Sequence, residues 1–376
     1  MTSLNGSSPR VSPDGRLVFA SGNTLWSVAF DLDKLEVPGD PAPFQDDVYY
    51  SFFSHYDISR EGSLVFWRND ADNLNTLVWV DRDGNEQPTS LSRARYRSPG
   101  ISPDGDLIAV SKYTAGVPDL WTHSLSRGEA TQWTFEVSGE TNPVWSRSSD
   151  ILYFEMGKPT DVYRIVLGGQ RGPERLTDTL EHWVPGSVTP DNRYLIIDEW
   201  DDVQGAGNNV GQLDLSKNGV QSVNDVEYLI KTDYRESHPN LSPDGKLLAY
   251  ETDRSGSLEI WVRRYPLVDG ESPVRVSISG DCRQPLWNAD SRELYYWDRD
   301  DERIYAAKID TSAGLDVETP VKLFPTEPYA FDFLVNYNYD QSRNRFLMIK
   351  NPPPGSTPNQ IVLVENWQEL IDQQNE

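Results

Sequence analysis

One short box recurs along this chain and limits what it can fold into. Its full form is Ser12-Pro13-Asp14-Gly15, Ser102-Pro103-Asp104-Gly105 and Ser242-Pro243-Asp244-Gly245. Degraded copies stand between these: Ser59-Arg60-Glu61-Gly62, Ser146-Arg147-Ser148-Ser149, Thr189-Pro190-Asp191-Asn192, Asn288-Ala289-Asp290-Ser291 and the stretch from Asp340 to Arg343. Proline fixes φ at the first central position of a β-turn, aspartate tolerates the next, and glycine supplies the positive φ that closes a hairpin. Each box therefore reads as a turn between two strands.

An apolar run follows every box, as in Leu17-Val18-Phe19-Ala20, Leu107-Ile108-Ala109-Val110, Leu152-Tyr153-Phe154 and Leu247-Leu248-Ala249-Tyr250. A second run comes next in most units, for example Thr24-Leu25-Trp26-Ser27-Val28 and Glu259-Ile260-Trp261-Val262. Short strands repeated every roughly 40 to 50 residues are the mark of propeller blades. The expected fold is all-β: a single propeller over residues 1–376, with eight blades of three to four antiparallel strands and seven as the alternative count. The one helix expected is a short turn near Glu365 to Ile371. Trp26, Trp79, Trp121 and Trp261 recur on the same strand of different units and read as blade packing.

Charge narrows the partners. Lys plus Arg number 34 against 59 Asp plus Glu, a formal net charge of −25. Such a field repels nucleic acid and anionic membrane surfaces. The single cysteine, Cys282, excludes an internal disulfide and any multi-cysteine metal site. Met1-Thr2-Ser3-Leu4-Asn5-Gly6 has neither the basic region nor the apolar core of a signal peptide, and no run of 18 apolar residues occurs. A monomer without membrane insertion is expected, cytoplasmic if the chain is complete as given.

The boxes and their following runs resemble TolB-like (WD-like) propeller repeats over nearly the whole chain. More narrowly, Asn23-Thr24-Leu25-Trp26-Ser27-Val28-Ala29-Phe30-Asp31 and Thr76-Leu77-Val78-Trp79-Val80-Asp81-Arg82-Asp83-Gly84 are similar to bacterial propellers fused behind a serine/threonine protein kinase and a membrane helix. The closing Asn366-Trp367 with Glu369-Leu370 is also similar to the end of those domains. The resemblance implies a sensory or interaction module working outside the membrane. Neither the kinase motifs nor a membrane helix occurs in this sequence.

A site can be sought by aligning the boxes. The residue four places before each reads Ser8, His55, Ser98, Asn142, Pro185, His238, Gln284 and Asn336, polar in every unit but one. Unpaired polar groups are costly to bury, so this register is expected at a channel, facing water or a ligand. Arg97, Glu140, Thr141, His182, Trp183, Glu236 and Arg283 adjoin it, a set suited to a small polar ligand or a peptide end. Trp183 would stack on the ligand.

Three of the four histidines, His55, His182 and His238, fall at these repeat starts. With Glu236 they would be able to hold a divalent metal, although no cofactor is expected. One of them beside Arg97 or Arg283 would be able to act as a general base in a lyase or hydrolase. The favoured reading is a non-catalytic binding or protein-interaction propeller, with such an enzyme as the alternative. Asp81-Arg82-Asp83-Gly84 reads as a hairpin turn rather than a calcium loop, and Asp198 to Asp202 as a solvated charge run. The insertion from Asp201 to Asn209 reads as an exposed loop.

Overall fold

The computed structural model describes the chain apart from residues 1–5, 22, 50–54, 69–73, 115–116, 137, 201–207, 218, 269, 333, 354–359 and 374–376. The expected recognition loop after Trp200 thus lies almost wholly outside the described residues. Each box forms the turn its residues require. Gly15 N–H donates to Ser12 O at 3.1 Å with Gly15 at φ 78°. The Asp104 carboxylate accepts from the Ser102 hydroxyl at 2.6 Å and from Asp106 N–H at 3.1 Å, and Asp244 accepts from Ser242 at 2.7 Å. Where glycine is missing, Ser149, Asn192 and Ser291 take the positive φ themselves.

Among the described residues eight antiparallel sheets result, each opening on one box. They divide between two compact units, Asn75–Lys112 with Pro118–Asn351, and Met1–Leu74 with Tyr113–Val117 and Pro352–Glu376. In the larger unit the first strands of six sheets touch in sequence: Tyr96–Ile101, Glu140–Trp145, His182–Val188, Glu236–Leu241, Cys282–Trp287 and Tyr337–Asp340, which returns to Tyr96–Ile101. That circuit is the closed ring of a β-propeller. The boxes follow it as well. Asp104 N–H donates to Ser149 Oγ at 3.4 Å, Arg147 N–H to Asn192 Oδ1 at 2.8 Å, and Asp244 N–H to Ser291 Oγ at 3.0 Å. Gln341 Nε2 reaches Trp287 O at 3.1 Å, and Arg343 Nη1 closes the circle on Gly105 O at 3.2 Å.

The all-β propeller is as expected, but strands are shared out differently from the repeats. Thr76–Val80 and Glu86–Pro88 follow the second box in sequence, yet Thr76–Val80 pairs with Arg345–Lys350, Glu86–Pro88 pairs with Thr76–Val80, and the two complete the last sheet of the ring. Ile361–Glu365 takes the place they leave beside Ser63–Trp67. The ring of the larger unit therefore has six blades, and the remaining two sheets lie in the smaller unit. Leu77-Val78-Trp79-Val80 and Ile361-Val362-Leu363-Val364 are both apolar runs fit for a third strand, so spacing alone does not choose between them.

Apolar residues fill the spaces between adjacent sheets. Leu247, Ala249 and Val262 of one sheet meet Trp287, Leu294 and Tyr296 of the next. The recurrent tryptophans are capped by cations: Lys112 Nζ lies 4.2 Å from the Trp121 ring, Arg254 4.7 Å from Trp261, and Arg345 3.7 Å from Trp79. In the smaller unit, Val18, Leu25, Phe44, Leu64 and Phe66 pack with Trp367 and Ile371, the latter on the helix Gln368–Gln373.

Closure of the ring carries its own clasp. Arg82, in the turn after Thr76–Val80, donates Nη2 to Glu293 Oε1 at 2.8 Å and Nη1 to Tyr295 OH at 2.7 Å. Glu293 is lowered against its burial by this guanidinium. A bidentate pair of this kind fixes geometry as well as charge. Replacing Arg82 by Met is expected to lower unfolding free energy by about 1–2 kcal/mol in a denaturant titration, with activity-independent readout.

Candidate functional site

The ring's first strands share a local irregularity that builds the site. Pairing with the second strand slips at the same place in Tyr96–Ile101, Glu140–Trp145, His182–Val188, Glu236–Leu241 and Cys282–Trp287. In four of them the residue at the slip has left-handed backbone: Ser98 at φ 46°, Asn142 at 53°, His238 at 49° and Gln284 at 53°. A bulge re-aims its side chain and positive φ is strained for such residues. These are the aligned residues four places before the boxes. In the remaining strand the position is Pro185, whose ring forbids positive φ.

The register is not the solvent-facing lining expected from sequence. Ser98, Asn142, Gln284 and Asn336 are buried, and His238 is only partly exposed. They are buried because they bond to one another across sheets. Ser98 Oγ donates to Asn142 Oδ1 at 2.9 Å, and Asn142 Nδ2 to Glu155 Oε1 at 2.8 Å. His238 N–H donates to Asp198 Oδ2 at 2.8 Å, its Nδ1 lies 3.1 Å from Glu251 Oε1, and Gln284 N–H donates to the same oxygen at 2.6 Å. Asn336 N–H donates to Gln284 Oε1 at 3.0 Å, and both amide groups reach the Asp332 and Leu334 carbonyls. Arg97 pairs with Asp332 at 3.2 Å and so returns the chain of contacts to its start. Arg283 lies 3.8 Å from Glu251 and 2.6 Å from Asp281. Among the described residues the chain of hydrogen bonds and ion pairs breaks between Glu155 and Asp198, beside the strand that carries Pro185.

Glu155 and Glu251 escaped the sequence reading, which has Asp198 only as the start of a solvated charge run. Each ends the apolar run of a second strand at the same register position, opposite Thr141, Val184 and Ser237. That repeated carboxylate in three consecutive sheets was the available signal. Asp198 and Glu199 are buried, so the start of the presumed solvated run is not solvated.

Burial governs their charge. It lifts Glu155 to about 7, helped by the Asp198 carboxylate, and Asp198 to about 6 despite His238. Burial acts on Glu251 in the same sense, but His238 and Arg283 outweigh it and hold the carboxyl down at about 2. Burial would lower His238, yet Glu251 and Asp198 raise it overall. Asp198 Oδ1 is buried with no hydrogen-bond partner among the described residues.

The other candidates lie elsewhere. Trp183 is fully buried against Tyr153, Val162, Leu176, Leu195 and Leu213, so it has no face to offer a ligand. Glu236 is buried and bonds to the Thr232 hydroxyl at 2.7 Å. His182 Nδ1 accepts Thr160 N–H at 3.2 Å. His55 belongs to the smaller unit, where its ring lies 5.2 Å from Tyr49 and 5.5 Å from Trp67. Among the described residues no three His, Cys, Asp or Glu side chains are grouped to hold a metal. Asp81 accepts Asp83 and Asn85 N–H, as a hairpin turn would have it. Cys282 is buried, which pushes its thiol up to about 12. Among the described residues no helix is long and apolar enough to cross a membrane.

No protein-family model matches this sequence. The chain is 22% identical over 253 residues to the uncharacterized protein Atu1656 of Agrobacterium fabrum, covering 64% of this chain and 83% of that one. A TolB structure from Agrobacterium tumefaciens superposes with TM-score 0.55 at 17% identity, covering 74% of this chain and 99% of the other. Oligogalacturonate lyase of Vibrio parahaemolyticus superposes with TM-score 0.50 at 13% identity, covering 77% and 81%. At these identities the likeness is one of fold, a TolB-like β-propeller, and that fold houses binding proteins and enzymes alike.

Two outcomes are expected. Trp183→Ala removes a fully enclosed indole and should cost about 3–5 kcal/mol in a denaturant titration. Glu155, Asp198 and His238 hold protons in the folded state above their ordinary values, so the stability they contribute is lost as pH rises through those folded values. Glu251 is the reverse: its contribution is present above the ordinary carboxylate range and lost as pH falls toward about 2. The unfolding midpoint should therefore drop as pH rises from about 4 to about 7, and Asp198→Asn should flatten that slope.

Proposed function

We propose that this chain is a non-catalytic binding propeller whose occupant, a small polar ligand or a peptide end, docks on the polar inner register of the larger unit. The observation that carries this is the break between Glu155 and Asp198: a buried acceptor, Asp198 Oδ1, has no donor among the described residues, while half-buried His238, Arg97 and Arg283 stand along the same circuit. A ligand bearing an ammonium or amide N–H supplies what that acceptor lacks. The segments Asn23–Asp31 and Thr76–Gly84, similar to kinase-linked propellers, support a sensory role for this binding.

The test is thermal unfolding of the full chain with free amino acids, short peptides with free N-termini, and neutral monosaccharides. At least one amine-bearing probe should raise the midpoint of the wild type and fail to do so for Asp198→Asn. A flat response to every probe, or an equal response from Asp198→Asn, removes the reading.

The enzymatic alternative rests on the Glu155 carboxyl near 7, placed to hold a proton at neutral pH. Turnover of oligogalacturonate or of aryl glycosides, abolished in Glu155→Gln, would favour it over simple binding.

A further inference from the structure

Two sheets of the larger unit neutralise a buried carboxylate in the same way where the third strand meets the following sheet. Asp161 opens the strand Asp161–Val166 and pairs with Arg175. Glu259 opens Glu259–Arg264 and pairs with Arg275 at 2.8 Å. Two residues after each arginine a hydroxyl, Thr177 or Ser277, accepts the N–H of Val162 at 2.9 Å or Ile260 at 3.1 Å. The next first strand then brings Trp183 or Cys282, whose N–H groups reach Thr160 O at 3.0 Å and Leu258 O at 2.8 Å.

The sheet that opens on Tyr96–Ile101 repeats the frame without its cation. Asp119 is the buried carboxylate, and Thr134 Oγ1 accepts Leu120 N–H at 2.9 Å. Pairing sets Gln132 opposite Trp121, as Arg175 is opposite Tyr163 and Arg275 opposite Trp261. Glutamine thus stands in the arginine position. The next first strand brings Glu140, two residues before the bulge, where the other sheets have Trp183 and Cys282. Glu140 is fully buried, and neither carboxylate oxygen has a hydrogen-bond partner of normal geometry among the described residues, so that the Thr134 hydroxyl acts on it only as a weak donor. The groups acting on it are the Thr134 hydroxyl and the Asp119 and Glu136 carboxylates. One positive charge has been lost here and one negative charge gained.

We propose that Asp119, Glu140 and Thr134 hold a hard divalent cation of the calcium class, in the place that an arginine side chain fills in the two equivalent sheets. The donors are all oxygen, with two formal negative charges, which suits calcium rather than zinc or copper. Buried carboxylates need a counter-charge, and among the described residues no side chain provides it for Glu140. The set consists of two carboxylates and a hydroxyl, so it has no triad of acidic or imidazole ligands to announce it.

The test uses the full chain after treatment with a chelator. Calcium at about ten times its Kd should raise the unfolding midpoint by roughly 2 °C, with potassium at matched ionic strength giving no rise. Glu140→Gln should abolish the calcium increment. Gln132→Arg, which installs the arginine of the other two sheets, should raise the midpoint without calcium and also abolish the increment. The proposal is overturned if calcium leaves the wild type unchanged, or if the increment persists in Glu140→Gln, as it would for loose binding to an acidic surface. Should Gln132→Arg not fold, calorimetric titration with calcium decides between wild type and Glu140→Gln: one site must be lost.

Discussion

The pairing of Thr76–Val80 with Arg345–Lys350 is the contact on which the larger unit depends. It joins segments more than two hundred and fifty residues apart in sequence (Lys350 opposite Thr76, 274 positions) and completes the sheet whose first strand, Tyr337–Asp340, meets Tyr96–Ile101 to close the circuit. Without it the circuit of polar contacts opens: Arg97 loses the fixed position from which it meets Asp332, and Asn338 its place near Ile101. The Arg82 clasp on Glu293 and Tyr295 shows where closure is reinforced. Arg82 sits on the closing hairpin itself, and its partners on the neighbouring sheet.

Closure also makes the strained backbone affordable. A non-glycine residue in the left-handed region costs about 1–3 kcal/mol, and Ser98, Asn142, His238 and Gln284 repeat that cost around one ring. What offsets it is hydrogen bonding that ordinary strand geometry would not permit: amide N–H of one sheet to carboxylate of the preceding one, as from His238 to Asp198 and from Gln284 to Glu251. The two carboxylates nevertheless differ in charge state. Glu251 has His238 and Arg283 beside it and stays ionised. Asp198 is buried with weaker compensation and rises. One repeated architectural position thus yields groups of different acidity through their neighbours alone.

Much of this was legible in the boxes. Proline, aspartate and glycine at fixed offsets name a turn, the apolar run after them names a strand, and their period names the propeller. The choice of Thr76–Val80 over Ile361–Glu365 as closing strand was not legible, because both are apolar runs and pairing is decided by three-dimensional register. The polar register was found, but its environment was misjudged. Polarity in sequence says that a group needs a partner, not whether the partner is water or another side chain, and for Ser98 and Asn142 it is each other. Trp183 looked like a ligand platform because it adjoins His182; alternation along the strand sends it into the core instead. Glu155 and Glu251 went unread, and Asp198 passed for solvated charge, because each trails an apolar run and looks like the start of a loop.

The closing strand also sets an order of events during synthesis. Thr76–Val80 is made early, while the strand that will cover its open edge, Arg345–Lys350, is among the last of the unit to be made. Until then an edge bearing Leu77, Val78, Trp79 and Val80 is unpaired on one side, and such an edge invites association with other chains. Contacts so distant in sequence also close slowly. The nascent chain therefore has a long interval in which its intermediate sheets can form while the ring stays open, and its yield on expression should be governed by how well that single edge is shielded in the meantime.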